Sequence, residues 1–362
     1  MKNVKIWLKG ARLYTLPIGL VPVVMAFATA SRMIRFSCFI GTGDHLWQCI
    51  FQTLLCAAVA AFMQISVNYA NDYCDGLNGL DENRKLRDCA NSNNSKPLCD
   101  VSFRLTDAGM KPKSVLNAVI ISALIACVFG LIIVFNTGIW WFIPIGILCL
   151  TAAWFYAGGK HPYGYNGWGE VSSFVFFGSV PFIGSLCAIS YGMGIASNNI
   201  SINNPVRIFY CILLSFIPGA YSACLMMVNN LRDVESDKKH GKITAMIKLG
   251  ELSGKHVCVA VNVLAMCLLL AYSVLTIAFP SYVPSIWRFY KHEDLTTFSM
   301  LVHNAPYCLL FVAFQWFILI VLLRKVYKFV KCILNGDYKN AFPLCVSQAM
   351  LGAAAVLMSA II

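Results

Sequence analysis

Apolar runs of about 20 residues recur along the whole chain, and this restricts its fold more than any other feature. A run of that length matches one helical crossing of a bilayer. Nine runs can be read, at roughly 15–31, 47–71, 115–135, 138–157, 170–190, 207–228, 256–279, 302–323 and 342–361. The spacing predicts an all-α integral membrane protein, a bundle of nine transmembrane helices forming one domain over residues 1–362. Of its residues 59% are hydrophobic and 12% charged, against about 25% charged in a soluble domain. No stretch is left over for a separate soluble domain.

The net charge of +12 would suit nucleic acid if the basic residues formed one soluble stripe. They sit instead in the short segments between apolar runs. Four Lys or Arg precede the first run, seven lie between 76 and 114, one at 160, six between 229 and 255, and five between 324 and 339. The alternate segments hold only Arg32, Arg35, Arg207, Arg288 and Lys291. This asymmetry places the N-terminus and the basic segments in the cytoplasm. The chain is therefore expected to cross its membrane many times. The 16 cysteines lie mostly inside apolar runs and form no C-x-x-C pair, which argues against a zinc site or a redox motif. No cleavable signal sequence is evident in the opening MKNVKIWLKGARLYTLP.

The acidic residues gather on the same side as the basic ones. The second run ends in NYANDYCDGLNGLDENRK (68–85), and the sixth is followed by NNLRDVESDKKHGKIT (229–244). In each, an Asn stands four residues before an Asp, Asn68 to Asp72 and Asn229 to Asp233, and a further Asp follows, Asp75 or Asp237. On a continued helix such positions share a face. Two faces meeting in a bundle would bring at least four carboxylates together, and like charges that close require a cation. An oxygen-only donor set selects Mg2+ or Ca2+ over zinc. Mg2+ keeps waters and binds few carboxylates together with substrate phosphates, so the pattern points to a diphosphate, with Lys242 a candidate anion contact. Solvated acids at helix ends are the plain alternative. An ion-coupled transporter is another, although its carboxylates would lie near the bilayer midplane.

These two stretches resemble the Asp-rich motifs of the UbiA-type membrane prenyltransferases, and the resemblance runs over nearly the whole chain. KHPYGYNGWGEVSSFVFFG (160–178) is similar to the loop and fifth helix of the family's 1,4-dihydroxy-2-naphthoate branch, which serves menaquinone synthesis. The opening ARLYTLPIGLVP, with Arg12, and the stretch GKITAMIKLGE resemble the same branch. Leu13 stands where that branch usually has Pro, and the 88–100 stretch is longer than its usual loop. The resemblance implies a bundle whose central cavity opens at the cytoplasmic side. It also implies Mg2+ held by Asp72, Asp75, Asp233 and Asp237, with Asn68, Asn71, Asn229 and Asn230 contacting phosphate or metal. Arg12, Arg232, Lys242 and Lys160 become candidate anion contacts. The implied reaction joins a polyprenyl diphosphate to an aromatic acid with loss of carbon dioxide. 4-Hydroxybenzoate and homogentisate are the alternative acceptors. Glu170, with Tyr163 and Tyr165, is expected either to orient the acceptor or take its proton, or else to cap a helix and anchor a loop.

Overall fold

The computed structural model describes residues 2–37, 44–77, 105, 109–192, 205–278 and 295–359. Asp81, Cys89, Cys99, the 91–97 stretch and the side chain of Asp75 lie outside the described residues.

With no water to bond a lipid-facing backbone, each apolar segment must satisfy its own N–H and C=O groups. All the regular structure among the described residues is accordingly helical. A short amphipathic helix α1 (Lys2–Gly10) leads through a tight turn at Leu13–Thr15 into α2 (Leu16–Ser37). Then come α3 (Asp44–Leu77), α4 (Pro112–Thr137) and α5 (Phe142–Ala157). The fifth expected span is composite, with α6 (Gly169–Phe174), a π-helical turn (Val175–Ser179) and α7 (Val180–Gly192) in continuous succession. The long α8 (Pro205–Arg232) is followed by two short helices, α9 (Val234–Lys239) and α10 (Ala245–Leu249). Helices α11 (Glu251–Ala278), α12 (Leu295–Leu334) and α13 (Tyr338–Ser359) complete the fold.

Eight helical segments among the described residues are long and apolar enough to cross a membrane. The one expected span not among them is the fourth, α5, whose 16 residues extend only about 24 Å, less than a hydrocarbon core of about 30 Å. Two helices outrun their expected spans by the most. Helix α3 has 34 residues and α12 has 40, and α12 takes in residues 295–301 of the expected outer loop. The extra turns of α3 place Asp72 and Asp75 on one unbroken helix, as their spacing predicts. The second motif departs from that expectation. Helix α8 stops at Arg232, Asp233 occupies the break (φ −98°, ψ 9°), and Asp237 falls in the first turn of α9.

Helices α2, α8 and α11–α13, joined by residues of α7, bury the largest core, in which Tyr221, Phe182 and Phe329 are fully enclosed. Helices α3 and α4 pack together on a smaller core that includes Tyr69, Leu105 and Val115. Outward-facing positions are also apolar, as Trp141, Phe135 and Leu309 illustrate, which suits hydrocarbon and not water.

One seam sets the position of the composite helix. Ser173 Oγ donates to the Ser222 carbonyl (3.0 Å), and Ser179 Oγ donates to that of Ser215 (3.3 Å). Between them Gly178 meets Gly219 so closely that a Cβ on Gly178 would fall 2.1 Å from the Gly219 Cα. Small residues are what let two membrane helices approach to this distance. Gly178→Ala should therefore destabilise the protein by about 1–3 kcal/mol, read as a lower melting temperature in detergent. Gly184→Ala, which meets nothing within 4 Å, should melt like the wild type.

Candidate active site

A cavity of about 520 Å3 runs between α2, α3, α4, α5, the composite α6–α7 and α8. Most of its wall is aliphatic and aromatic. Its polar side chains cluster where α3 and α8 end, and there Arg12, Asn68, Asn71 and Asn229 face the space.

The α3 side is built around a strained turn. Arg12 is the one non-glycine residue with positive φ among the described residues (φ 50°, ψ 53°), a conformation costing roughly 1–2 kcal/mol for an L-residue. Several bonds hold it there. The Thr15 N–H and hydroxyl both donate to the Arg12 carbonyl at 2.8 Å. Asn68 Nδ2 donates to the Ala11 carbonyl (3.0 Å) and to Thr15 Oγ1 (3.4 Å). The guanidinium of Arg12 then reaches Asp72 in a short ion pair. Asp72 is fully buried, and its second oxygen accepts the Leu105 N–H at 3.2 Å. Asn68, expected to contact substrate, thus spends its amide protons on the turn that aims Arg12.

The α8 side is assembled from three segments. Arg232 forks onto its neighbour Asp233 with bonds of 2.9 and 2.8 Å. Both residues are partly exposed, so this pair adds little stability. Asp237 is fully buried, and Lys242 lies 3.3 Å from its Oδ2. The Lys242 ammonium also sits 5.6 Å from the centroid of the Tyr165 ring, within cation–π range. The Ile243 N–H donates to the Tyr165 carbonyl (2.8 Å), docking the second motif on the PYGYNGWGE loop. Tyr163 donates its hydroxyl to the Ala152 carbonyl at 2.8 Å, and burial pushes its phenol above the usual range. Lys160 is exposed and lines no part of the cavity.

Glu170 is only 4% exposed and does not line the cavity. Its Oε1 accepts from Asn230 Nδ2 at 2.8 Å, and its Oε2 has no hydrogen-bond partner among the described residues. It makes no cap to its own helix, where the sequence allowed one. Instead it clamps the end of α8 through Asn230, next to the cavity-facing Asn229.

Asp72, Asp233 and Asp237 each have a basic partner, which is how closely placed charges in a reduced dielectric are balanced. Among the described residues no three His, Cys, Asp or Glu gather as metal ligands. The donors still suit Mg2+. Asn71 Oδ1 and Asn229 Oδ1 are buried, face the cavity and have no hydrogen-bond partner among the described residues. Such amide oxygens, like the carboxylates of Asp72 and Asp237, are the donor type a hard cation takes.

The family model for the UbiA prenyltransferase family matches residues 20–328. The chain belongs to the UbiA prenyltransferase family. It is 32% identical over 271 residues to the 1,4-dihydroxy-2-naphthoate octaprenyltransferase of Mycobacterium leprae, covering 74% of this chain and 78% of that protein. The protein of the same name from Mycobacterium tuberculosis is 34% identical over 248 residues, 68% and 70% of the two chains. The one from Escherichia coli is 29% identical over 275 residues, 73% and 75%. Among solved structures, an apo UbiA homolog from Aeropyrum pernix matches with a TM-score of 0.54 at 14% identity, over 94% of this chain and 96% of that one. A UbiA homolog from Archaeoglobus fulgidus, bound to GPP and Mg2+, gives 0.50 at 11% identity over 97% and 99%. At such identities these two structures speak for the fold.

In this UbiA family member the sequence reading missed Leu105, whose backbone N–H holds Asp72 from 33 residues away, and Thr15 and Gln64, which extend the Arg12 network. Gln64 had a legible signal, since it precedes Asn68 by four residues and Asn71 by seven on one helix face. The Leu105 contact had none.

The Glu170–Asn230 clamp gives a direct test. Asn230→Ala would leave a buried carboxylate without its donor, at a cost of about 1–3 kcal/mol. Glu170→Gln keeps a side-chain oxygen for Asn230 and should cost less than half as much. Melting curves of the two purified variants measure the difference, and equal losses would remove the clamp.

Proposed function

We propose that this protein transfers a polyprenyl group from an allylic polyprenyl diphosphate to 1,4-dihydroxy-2-naphthoate, releasing diphosphate and carbon dioxide. The observation that carries this reading is the cavity itself. Its polar end presents Arg12 and the buried amide oxygens of Asn71 and Asn229, beside Asp72, while the remainder is an apolar chamber suited to an isoprenoid. The names of the relatives that match over most of the chain supply the acceptor.

Asp72, Asp75, Asp233 and Asp237, with the oxygens of Asn71 and Asn229, would hold Mg2+. Bound there, the metal would offset the charge of the diphosphate and make it a better leaving group. Arg12, Arg232 and Lys242 would then contact diphosphate oxygens, exchanging part of their pairing with the carboxylates. The allylic C–O bond breaks with its electron pair leaving on diphosphate. The ring carbon bearing the carboxylate supplies the pair for the new C–C bond. As carbon dioxide departs, the electrons of its C–C bond return to the ring, so no oxidant is required. The apolar walls, including Phe176 and Phe177 of the π-helical turn, keep water from intercepting the allylic cation. Glu170 serves as a positioning residue, fixing Asn229 through Asn230. Tyr163 and Tyr165 shape the loop against α5 and Lys242, and Lys160 is left as exposed charge on that loop.

We also infer that α5 is the ninth crossing. Trp140 and Trp141 are exposed at one end and Trp154 near the other, where interfacial aromatic rings belong. The distribution of Lys and Arg supports an active site on the cytoplasmic face of a bacterial inner membrane, within one catalytic domain spanning the chain.

The decisive assay offers purified protein a radiolabelled polyprenyl diphosphate, Mg2+ and a panel of aromatic acids. Turnover should be greatest with 1,4-dihydroxy-2-naphthoate, stop in EDTA and return with excess Mg2+. Asp72→Ala should lower the rate at least about 10²-fold while the variant still inserts in the membrane. Full activity in EDTA would remove the metal, and preference for 4-hydroxybenzoate or homogentisate would reassign the acceptor.

A further inference from the structure

Three side-chain carbonyl oxygens face the cavity, buried and without a hydrogen-bond partner among the described residues: those of Asn71, Asn229 and Gln64. The first two lie at the polar end. Gln64 is about two helical turns, roughly 10 Å, below Asn71 on the same helix, among aliphatic side chains, and is only 8% exposed. A bare amide oxygen in such surroundings is costly unless a ligand satisfies it.

The orientation of this amide is set by its neighbours. Gln64 Nε2 donates to Thr15 Oγ1 at 3.4 Å, and the Thr15 hydroxyl donates onward to the Arg12 carbonyl. The amide nitrogen is therefore engaged on the Arg12 turn, which leaves Oε1 as an acceptor. Gly19 makes room beside it, since a Cβ there would come 3.2 Å from Oε1. Gln64, Asn68 and Asn71 are at i, i+4 and i+7 of α3 and share one face. From Gln64 to Asn68 the helix rises about 6 Å.

We propose that Gln64 Oε1 accepts a hydrogen bond from a ring hydroxyl of the aromatic acceptor and selects for acceptors that carry one. This deepens the prenyltransferase reading and rests on it. The carbon under attack must come within about 3–3.5 Å of the allylic carbon, and that carbon lies beside the diphosphate. A two-ring acceptor extends several ångströms from that carbon, so a group about 10 Å below Asn71 on the cavity wall is within reach of its ring hydroxyls. The other hydroxyls on this wall already have protein partners, as with Tyr156 on Met226 Sδ, Tyr163 on Ala152, and Ser173 on Ser222. A phenolic O–H donating to an amide oxygen also leaves the ring richer in electrons, which favours attack on an allylic cation. A site built to bond a hydroxyl discriminates strongly against analogues without one, because its own polar group is then stranded.

The test compares wild type and Gln64→Met, a variant of similar volume, on 1,4-dihydroxy-2-naphthoate and its two monomethyl ethers. For the wild type, blocking the bonded hydroxyl should lower acceptor kcat/KM by roughly 10- to 100-fold. Gln64→Met should lose a similar factor on the diol, turn over that ether as well as the diol, and change the KM for prenyl diphosphate by less than about twofold. Should Gln64→Met fail to fold, Gly19→Ala, which crowds Oε1 while retaining the amide, should show the same loss on the acceptor side. The proposal is overturned if the folded variant still discriminates between diol and ether, or if its loss appears equally in prenyl-diphosphate KM. Wild type that prenylates only another hydroxylated acid would displace the naphthoate reading alone, and the comparison then runs on that acid and its methyl ether.

Discussion

A fully buried carboxylate at the end of a long apolar helix has to be neutralised, and much of this structure follows from how Asp72 is. Its partner comes from the turn before α2, not from its own helix. To reach it, Arg12 adopts a left-handed backbone that an L-residue rarely takes. Asn68 and Thr15 hold that backbone, and Gln64 is tied to the same hydroxyl. A break in the pair would leave a buried charge uncompensated, typically worth about 3–5 kcal/mol. The start of the chain, the end of α3 and the polar end of the cavity are therefore a single unit.

The opposite wall is organised by close approach and not by charge. Gly178 and Gly219 bring the composite helix against α8, and hydroxyls of Ser173 and Ser179 fasten it. The π-helical turn lies in this seam. It adds an extra residue to one turn, a device common at functional sites, and its Phe176 and Phe177 face the cavity. The same contact carries Glu170 to Asn230, so the packing of two membrane helices sets where Asn229 points. The wall proposed to receive an apolar chain and the group proposed to face its diphosphate are thus positioned by one interface.

The family resemblance and the geometry meet most clearly at the two Asp-rich stretches, but they are not built alike. The first continues α3 without interruption, as the spacing of Asn68, Asp72 and Asp75 suggests. The second turns out of α8 at Asp233, and only Asn229 and Asn230 remain on the long helix. Equal spacing in sequence therefore matched Asn68 with Asn229, whereas in space it is Asn71 and Asn229 that turn bare oxygens to the cavity. Asn68 has a different task, because the Arg12 turn packs against it.

Hydrophobic runs and the gaps between them determine the helical segments, the bundle class and the end of each helix that carries charge, because crossing a bilayer is a constraint each segment meets alone. The residue types of the two motifs, read by spacing, point to the handling of anions and a hard cation. Pairing is another matter. That Arg12 answers Asp72, that Leu105 donates to it, that Glu170 holds Asn230 and that Gln64 faces an apolar chamber all depend on segments distant in the chain becoming neighbours. Such contacts leave no periodic trace, since each is fixed by packing between helices and not by any preference of the residues along one of them.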